Sequence, residues 1–146
     1  MGKANLVLAA FMLTLNTSLA SDLMWLERDW ISNGDLSARA NPSTESFSEE
    51  QLKKFKGIFG RTIWRFKDGV FTGIQTDTGF QGSSPYSIRP ADGERWEVIF
   101  YEDGLEIILT LWKVEGGFCA NPNPTWVEEY QSWSGPGIVE CYVPAT

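Results

Sequence analysis

Two stretches of the chain have the two-residue period of a β-strand about an Asp-Gly pair, and this limits the fold more than any other feature. Glu94 to Glu102 and Leu105 to Val114 flank Asp103-Gly104. Asp-Gly suits a two-residue type I′ turn, which requires positive φ at both central positions. Pairing outward from that turn places Trp96, Val98 and Phe100 on one face with Leu105, Ile107, Leu109 and Leu111. A slip of one residue would turn that apolar set to the opposite side, so turn and periodicity fix the same register. The other face carries Arg95, Glu97, Ile99, Tyr101, Glu106, Ile108, Thr110 and Trp112. A second hairpin, Arg61–Lys67 with Val70–Thr76, turns at Asp68-Gly69. Its register sets Phe66 opposite Phe71 and Trp64 opposite Gly73, an aromatic ring over a cross-strand glycine.

The remaining strands are shorter. Trp30 to Leu36 reads as a first strand. Phe80 to Ile88 is Gly/Ser-rich, with pairing limited by Pro85. Phe118 to Ala120 and Ile138 to Val143 complete the set. One helix is expected over Phe47 to Gly60. Ser48 and Gln51 have capping-box spacing, with Phe47 and Leu52 placed as the hydrophobic staple. Glu49 and Glu50 fall in the first turn and Lys53, Lys54 and Lys56 near the end, as the helix dipole favours. Gly57 is the expected stop, and Leu52, Phe55 and Phe59 form one apolar stripe. Seven or eight antiparallel strands with one short helix and no βαβ alternation predict an all-β domain. Closure as an up-and-down barrel removes exposed edges.

Lys3, the apolar run Leu6 to Leu15 and the small residues Ser18 and Ala20 have the order of a secretory signal, with cleavage expected after Ala20. The run is too short to span a bilayer. Residues 1–20 are therefore expected to be a leader and 21–146 a single domain. Loss of Lys3 with the leader takes the net charge from −7 to −8. The expected location is periplasmic or secreted, where Cys119 and Cys141 are expected to form a disulfide.

The chain has no histidine and a sequence pI near 4.6. The first fact excludes Ser-His-Asp and Cys-His nucleophile systems. The second argues against phosphate-driven nucleic-acid binding. Glu97, Glu102, Asp103, Glu106 and Glu115 show no spacing that singles out an acid/base pair or a calcium loop. No enzymatic activity, metal or cofactor is expected.

The layout resembles the lipocalin and wider calycin group, small exported barrels whose first strand carries a Trp near the barrel base. The matching elements are Trp30-Ile-Ser-Asn33, the helix running from Leu52 to Phe59, Phe59-Gly60-Arg61, Pro85-Tyr86 and Glu140-Cys-Tyr-Val143, spanning Trp30 to Val143. Arg28 stands where the group has Gly, the final strand lacks the Arg that often stacks on the Trp, and the Cys119–Cys141 segment resembles an insertion. The resemblance implies a closed lipocalin-like barrel with Trp30 as base plug.

Two functions fit. In the first, Trp64, Phe66, Phe71, Trp96, Phe100 and Trp112 line an interior pocket for a small hydrophobic or amphipathic ligand, with the helix closing or lining one end. The same residues would alternatively fill the barrel, since eight strands are near the size at which either occurs. In the second, Trp126, Glu128, Glu129, Tyr130 and Trp133 form an aromatic and acidic loop that meets a basic protein partner. Small acidic periplasmic barrels with a disulfide resemble bacterial lysozyme inhibitors in this general plan. Those aromatics would otherwise cap the barrel mouth or pack on its outside.

Overall fold

A computed structural model of the chain describes residues 23–122, 125–127, 132–134 and 137–146. The expected leader lies outside these residues, as do Glu128, Glu129 and Tyr130. A 3-10 turn at Met24–Leu26 leads into β1 (Asp29–Ser32), α1 (Gly34–Ala40), a second 3-10 turn (Pro42–Ser46) and α2 (Glu49–Gly57). Then come β2 (Thr62–Lys67), β3 (Val70–Gln75), β4 (Gln81–Pro85), β5 (Ser87–Ala91), β6 (Arg95–Glu102) and β7 (Leu105–Val114). The chain ends with β8 (Gly117–Pro122), β9 (Thr125–Val127), β10 (Ser132–Ser134) and β11 (Glu140–Pro144).

Both Asp-Gly turns have the predicted conformation. Asp68 and Gly69 have φ of 51° and 76°, and Asp103 and Gly104 have 50° and 78°. The registers follow from them. Trp96 pairs with Leu111, Val98 with Leu109 and Phe100 with Ile107, while Trp64 faces Gly73 and Phe66 faces Phe71. Val98, Phe100, Leu109 and Leu111 are buried, so this is the inward face.

Among the described residues, nine strands form one antiparallel sheet in the order β4-β3-β2-β1-β11-β8-β7-β6-β5. Its two edge strands, β4 and β5, are consecutive in the chain and separated only by Tyr86. One stretch of backbone thus borders β3 with its first half and β6 with its second, and the sheet curls into a nearly closed up-and-down barrel. The single strand expected over Phe80 to Ile88 is therefore two strands, and the count is nine where seven or eight were expected. Continuing the Ser87–Ile99 register would bring Pro85 opposite Tyr101. Proline has no N–H to give to a ladder, and Pro85 is already aligned with Val70 on the other side. In place of a ladder, the Tyr101 N–H donates to Ser84 Oγ at 3.2 Å. The barrel is open along this seam, between β4 and the tip of the β6–β7 hairpin.

Among the described residues, two α-helices form where one was expected. The first strand ends at Ser32 rather than Leu36, because Asn33 is an N-cap: its side chain accepts the Leu36 N–H at 2.9 Å and the chain turns into α1. α1 lies over the outer side of β11, where the Cys141 N–H donates to Ser37 Oγ at 2.8 Å. The Asn41 side chain bonds both the N–H and the carbonyl of Val139. α2 has the predicted capping box, with Ser48 Oγ accepting from Gln51 N and Gln51 Oε1 accepting from Ser48 N. It packs on α1, joined by a Lys56–Asp35 ion pair of 2.8 Å.

The core fills one end of the barrel. Trp30 is 4% exposed, and its Nε1 donates to the Leu26 carbonyl at 2.9 Å. Its ring meets Phe118 edge-on at 4.9 Å and Trp25 at 5.9 Å, and Trp25 reaches Trp96 at 5.7 Å. Trp30 is thus buried in an aromatic cluster, a placement compatible with the plug that the lipocalin resemblance implies. The cation over its ring is Arg28, at 5.5 Å, on the position where that group carries Gly. Cys119 and Cys141 are directly opposite in β8 and β11 and form the expected disulfide. Among the described residues, no helix is long and apolar enough to cross a membrane.

Candidate functional site

Beyond the Trp25–Trp96 base the barrel is hollow, with Trp64, the register partner of Trp30, at the boundary. β2, β3, β6 and β7 all turn their alternate residues inward, but at this level one of those residues is Gly73, facing Trp64. A Cβ built at Gly73 meets no heavy atom within 4 Å. The missing side chain and the open seam together leave a cavity of about 490 Å³. Its floor and walls are Trp64, Phe71, Phe100, Ile107 and Leu109. Around the mouth stand Thr62, Gln75, Phe80, the β4 backbone at Gly82–Ser84, and Tyr101, Glu102 and Asp103 from the hairpin tip. Phe80 is 68% exposed and Tyr101 57% exposed, so the rim presents aromatic surface to solvent.

Trp64 is held from behind. Tyr142 of β11 stacks on its indole with ring centroids 4.1 Å apart, and Phe71 meets it edge-on at 5.5 Å. Stacked and edge-to-face pairs at these distances stabilise beyond simple area burial. Beside Tyr142 is a small polar cluster facing inward from β1 and β11. Burial raises the pKa of Glu140, an effect partly offset by the nearby Tyr142 and Ser32 hydroxyls. Tyr142 is pushed well above the usual tyrosine range by burial and by the nearby Glu140 charge. Its hydroxyl finds no well-directed hydrogen bond. Ser32 Oγ is engaged in turn, accepting the Gly60 N–H at 2.7 Å.

Of the residues expected to line a pocket, Trp64, Phe71 and Phe100 do so. Phe66 is fully buried in the filled part of the core, and Trp96 packs beside Trp25 at the base. Trp112 is on the outer face of the sheet, paired with Arg95 and Cys119, and the Arg95 guanidinium covers its ring at 4.9 Å. It is not part of the cavity wall. α2 contributes no lining residue either, because it packs on α1. In the second expected site, Trp126 and Trp133 are directly opposite in the β9–β10 ribbon.

Several lining residues escaped the sequence argument. Ile107 and Leu109 had been assigned to the inward face but not to a cavity. Phe80 precedes β4 and gains its place only from the way that edge curves over the mouth. Glu102 and Asp103, whose spacing singles out no site, border the opening. Among the described residues, no group of three or more His, Cys, Asp or Glu is placed to hold a metal ion. No protein-family model, curated protein sequence or solved structure matches this chain.

Proposed function

We propose that the protein is an exported binding protein, not an enzyme, that holds a small hydrophobic or amphipathic molecule in the mouth-end cavity. One observation carries the reading: an apolar, aromatic-walled hollow of about 490 Å³ stands beside the buried core of the barrel. Ligand cavities typically span about 300–1,000 Å³, with apolar walls and a few polar groups that fix orientation. Each 100 Å² of apolar ligand surface removed from water contributes roughly 2.5 kcal/mol, before the costs of association. Trp64 offers a flat face pinned by Tyr142, so a planar ligand meets a surface that needs no reordering. The Cys119–Cys141 bond supports an extracytoplasmic site of action.

The test is a titration with N-phenyl-1-naphthylamine, a neutral apolar fluorophore. The expected result is saturable binding at one site per chain, with quenching of tryptophan emission, and a matching retained small molecule in native mass spectra of protein purified without refolding. The reading fails if the fluorophore shows no saturable binding.

A further inference from the structure

The charged residues at the cavity mouth carry one sign only. Glu102 and Asp103 line it, and no Lys or Arg does. Glu106 stands next to them, accepting a hydrogen bond from the Tyr101 hydroxyl at 3.1 Å. Five acids away from the mouth face a base, Asp29 with Arg65, Asp35 with Lys56, Glu50 with Lys54, Asp77 with Arg61 and Glu97 with Arg89, while others on the surface do not. Among the described residues, Glu102 and Asp103 have no such partner.

The same mouth is aromatic. Phe80 and Tyr101 border it, and Trp64 forms the wall behind them. A cation over an aromatic face is attracted by the negative face of the ring, by roughly 0.5–2 kcal/mol depending on desolvation. Carboxylates at the rim add to that attraction and oppose an anion at the same position. A fatty acid entering tail-first would leave its carboxylate beside Glu102 and Asp103. An amine would leave its charge against those groups and the rings.

We infer that the ligand is a cationic amphiphile: an apolar or aromatic body that seats against Trp64, Phe71 and Phe100, with an ammonium group held at the mouth by Glu102 and Asp103 beside the Phe80 ring. The inference rests on the binding function proposed above and specifies its ligand class. The protein's net charge of −7 favours approach of the same ligands from a distance.

Three probes sharing a 2-naphthylmethyl body test it: (2-naphthylmethyl)ammonium, 2-naphthylacetate and 2-naphthaleneethanol, each displacing N-phenyl-1-naphthylamine. The cation is expected to bind about tenfold more tightly than the anion, with the alcohol between them and the gap narrowing as salt is added. In the double variant Glu102→Gln/Asp103→Asn the cation-to-anion ratio should fall toward one. Asparagine accepts the positive φ at position 103, so the turn is kept. Glu115→Gln, which removes a carboxylate outside the cavity, should leave the ratio unchanged. Equal binding of cation and anion, or an unchanged ratio in the double variant, overturns the ligand class while leaving the cavity reading in place. Failure of all three probes and of the fluorophore overturns both.

Discussion

A Cβ at Gly73 would have open space around it, because the volume beside that residue belongs to the cavity rather than to a packed neighbour. Cavity and stability are therefore predicted to respond in opposite directions to Gly73→Val. Valine favours a strand and restricts the unfolded chain, together worth about 0.5–1 kcal/mol. Calorimetry should show an unchanged or raised Tm, while the affinity for N-phenyl-1-naphthylamine falls by about tenfold or more as the hollow fills. A valine variant that binds as well as the native chain would place the ligand elsewhere. Glu140 gives a pH-dependent prediction at the same scale. Its folded pKa is raised by burial, so its ionisation opposes folding. Below the ordinary carboxylate range the group is protonated in both states and carries no penalty. The penalty grows as pH rises through that range and levels off once the folded group ionises. Urea denaturation should therefore show Glu140→Gln gaining stability over the native chain between pH 3 and pH 7, with the gap smallest at pH 3.

At the scale of elements, what the sequence made legible is what short-range chemistry controls. Asp68-Gly69 and Asp103-Gly104 specify their turns, and each turn sets the register of the strands beside it. The alternation from Trp96 to Leu111 then assigns inward and outward faces, and Ser48 with Gln51 marks the start of α2. α1 was missed because it begins at Gly34, a poor helix former, directly after an apolar stretch that reads as strand. Its cue was Asn33, whose side chain caps Leu36. The pairing of β1 with β2 was also not derivable from local pattern. There, Arg65 reaches across to Asp29 with two hydrogen bonds of 2.7 Å. The Arg65 hydrogen bond, with a smaller contribution from its charge, lowers the Asp29 pKa. The pair therefore contributes stability above the ordinary aspartate range and loses it as pH falls through the lowered value. Asp29→Asn is expected to cost about 0.5–1 kcal/mol at pH 7, the scale of a partly exposed ion pair. Denaturation at pH 2 to 3 should show that difference shrinking.

For the whole molecule, the disulfide and the shared edge strand decide how the sheet is closed. Cys119 and Cys141 lie 22 residues apart in sequence and tie β8 to β11 on the outer face beneath α1. Replacing both with serine should lower stability by about 3 kcal/mol in the chain-entropy account. The expected readout is a lower thermal midpoint, with far-ultraviolet circular dichroism unchanged at room temperature. The barrel is closed on its other side by Gln81 to Ala91, which serves β3 and β6 in turn.

The sequence by itself determined the all-β class, the two hairpins with their registers, the inward faces and the Cys pairing. Each depends on turn chemistry, on the two-residue period of a strand, or on having just two cysteines, and all of these act without knowledge of the rest of the fold. Only the tertiary structure decided that Phe66 and Trp96 fill the base while Trp64, Phe71 and Phe100 face a hollow. Residues with the same inward alternation differ in fate according to their height in the barrel. That height depends on the order of the strands, on where the Met24–Leu26 turn inserts, and on Pro85 parting β4 from β6. These are long-range consequences of closure, and no local pattern encodes them.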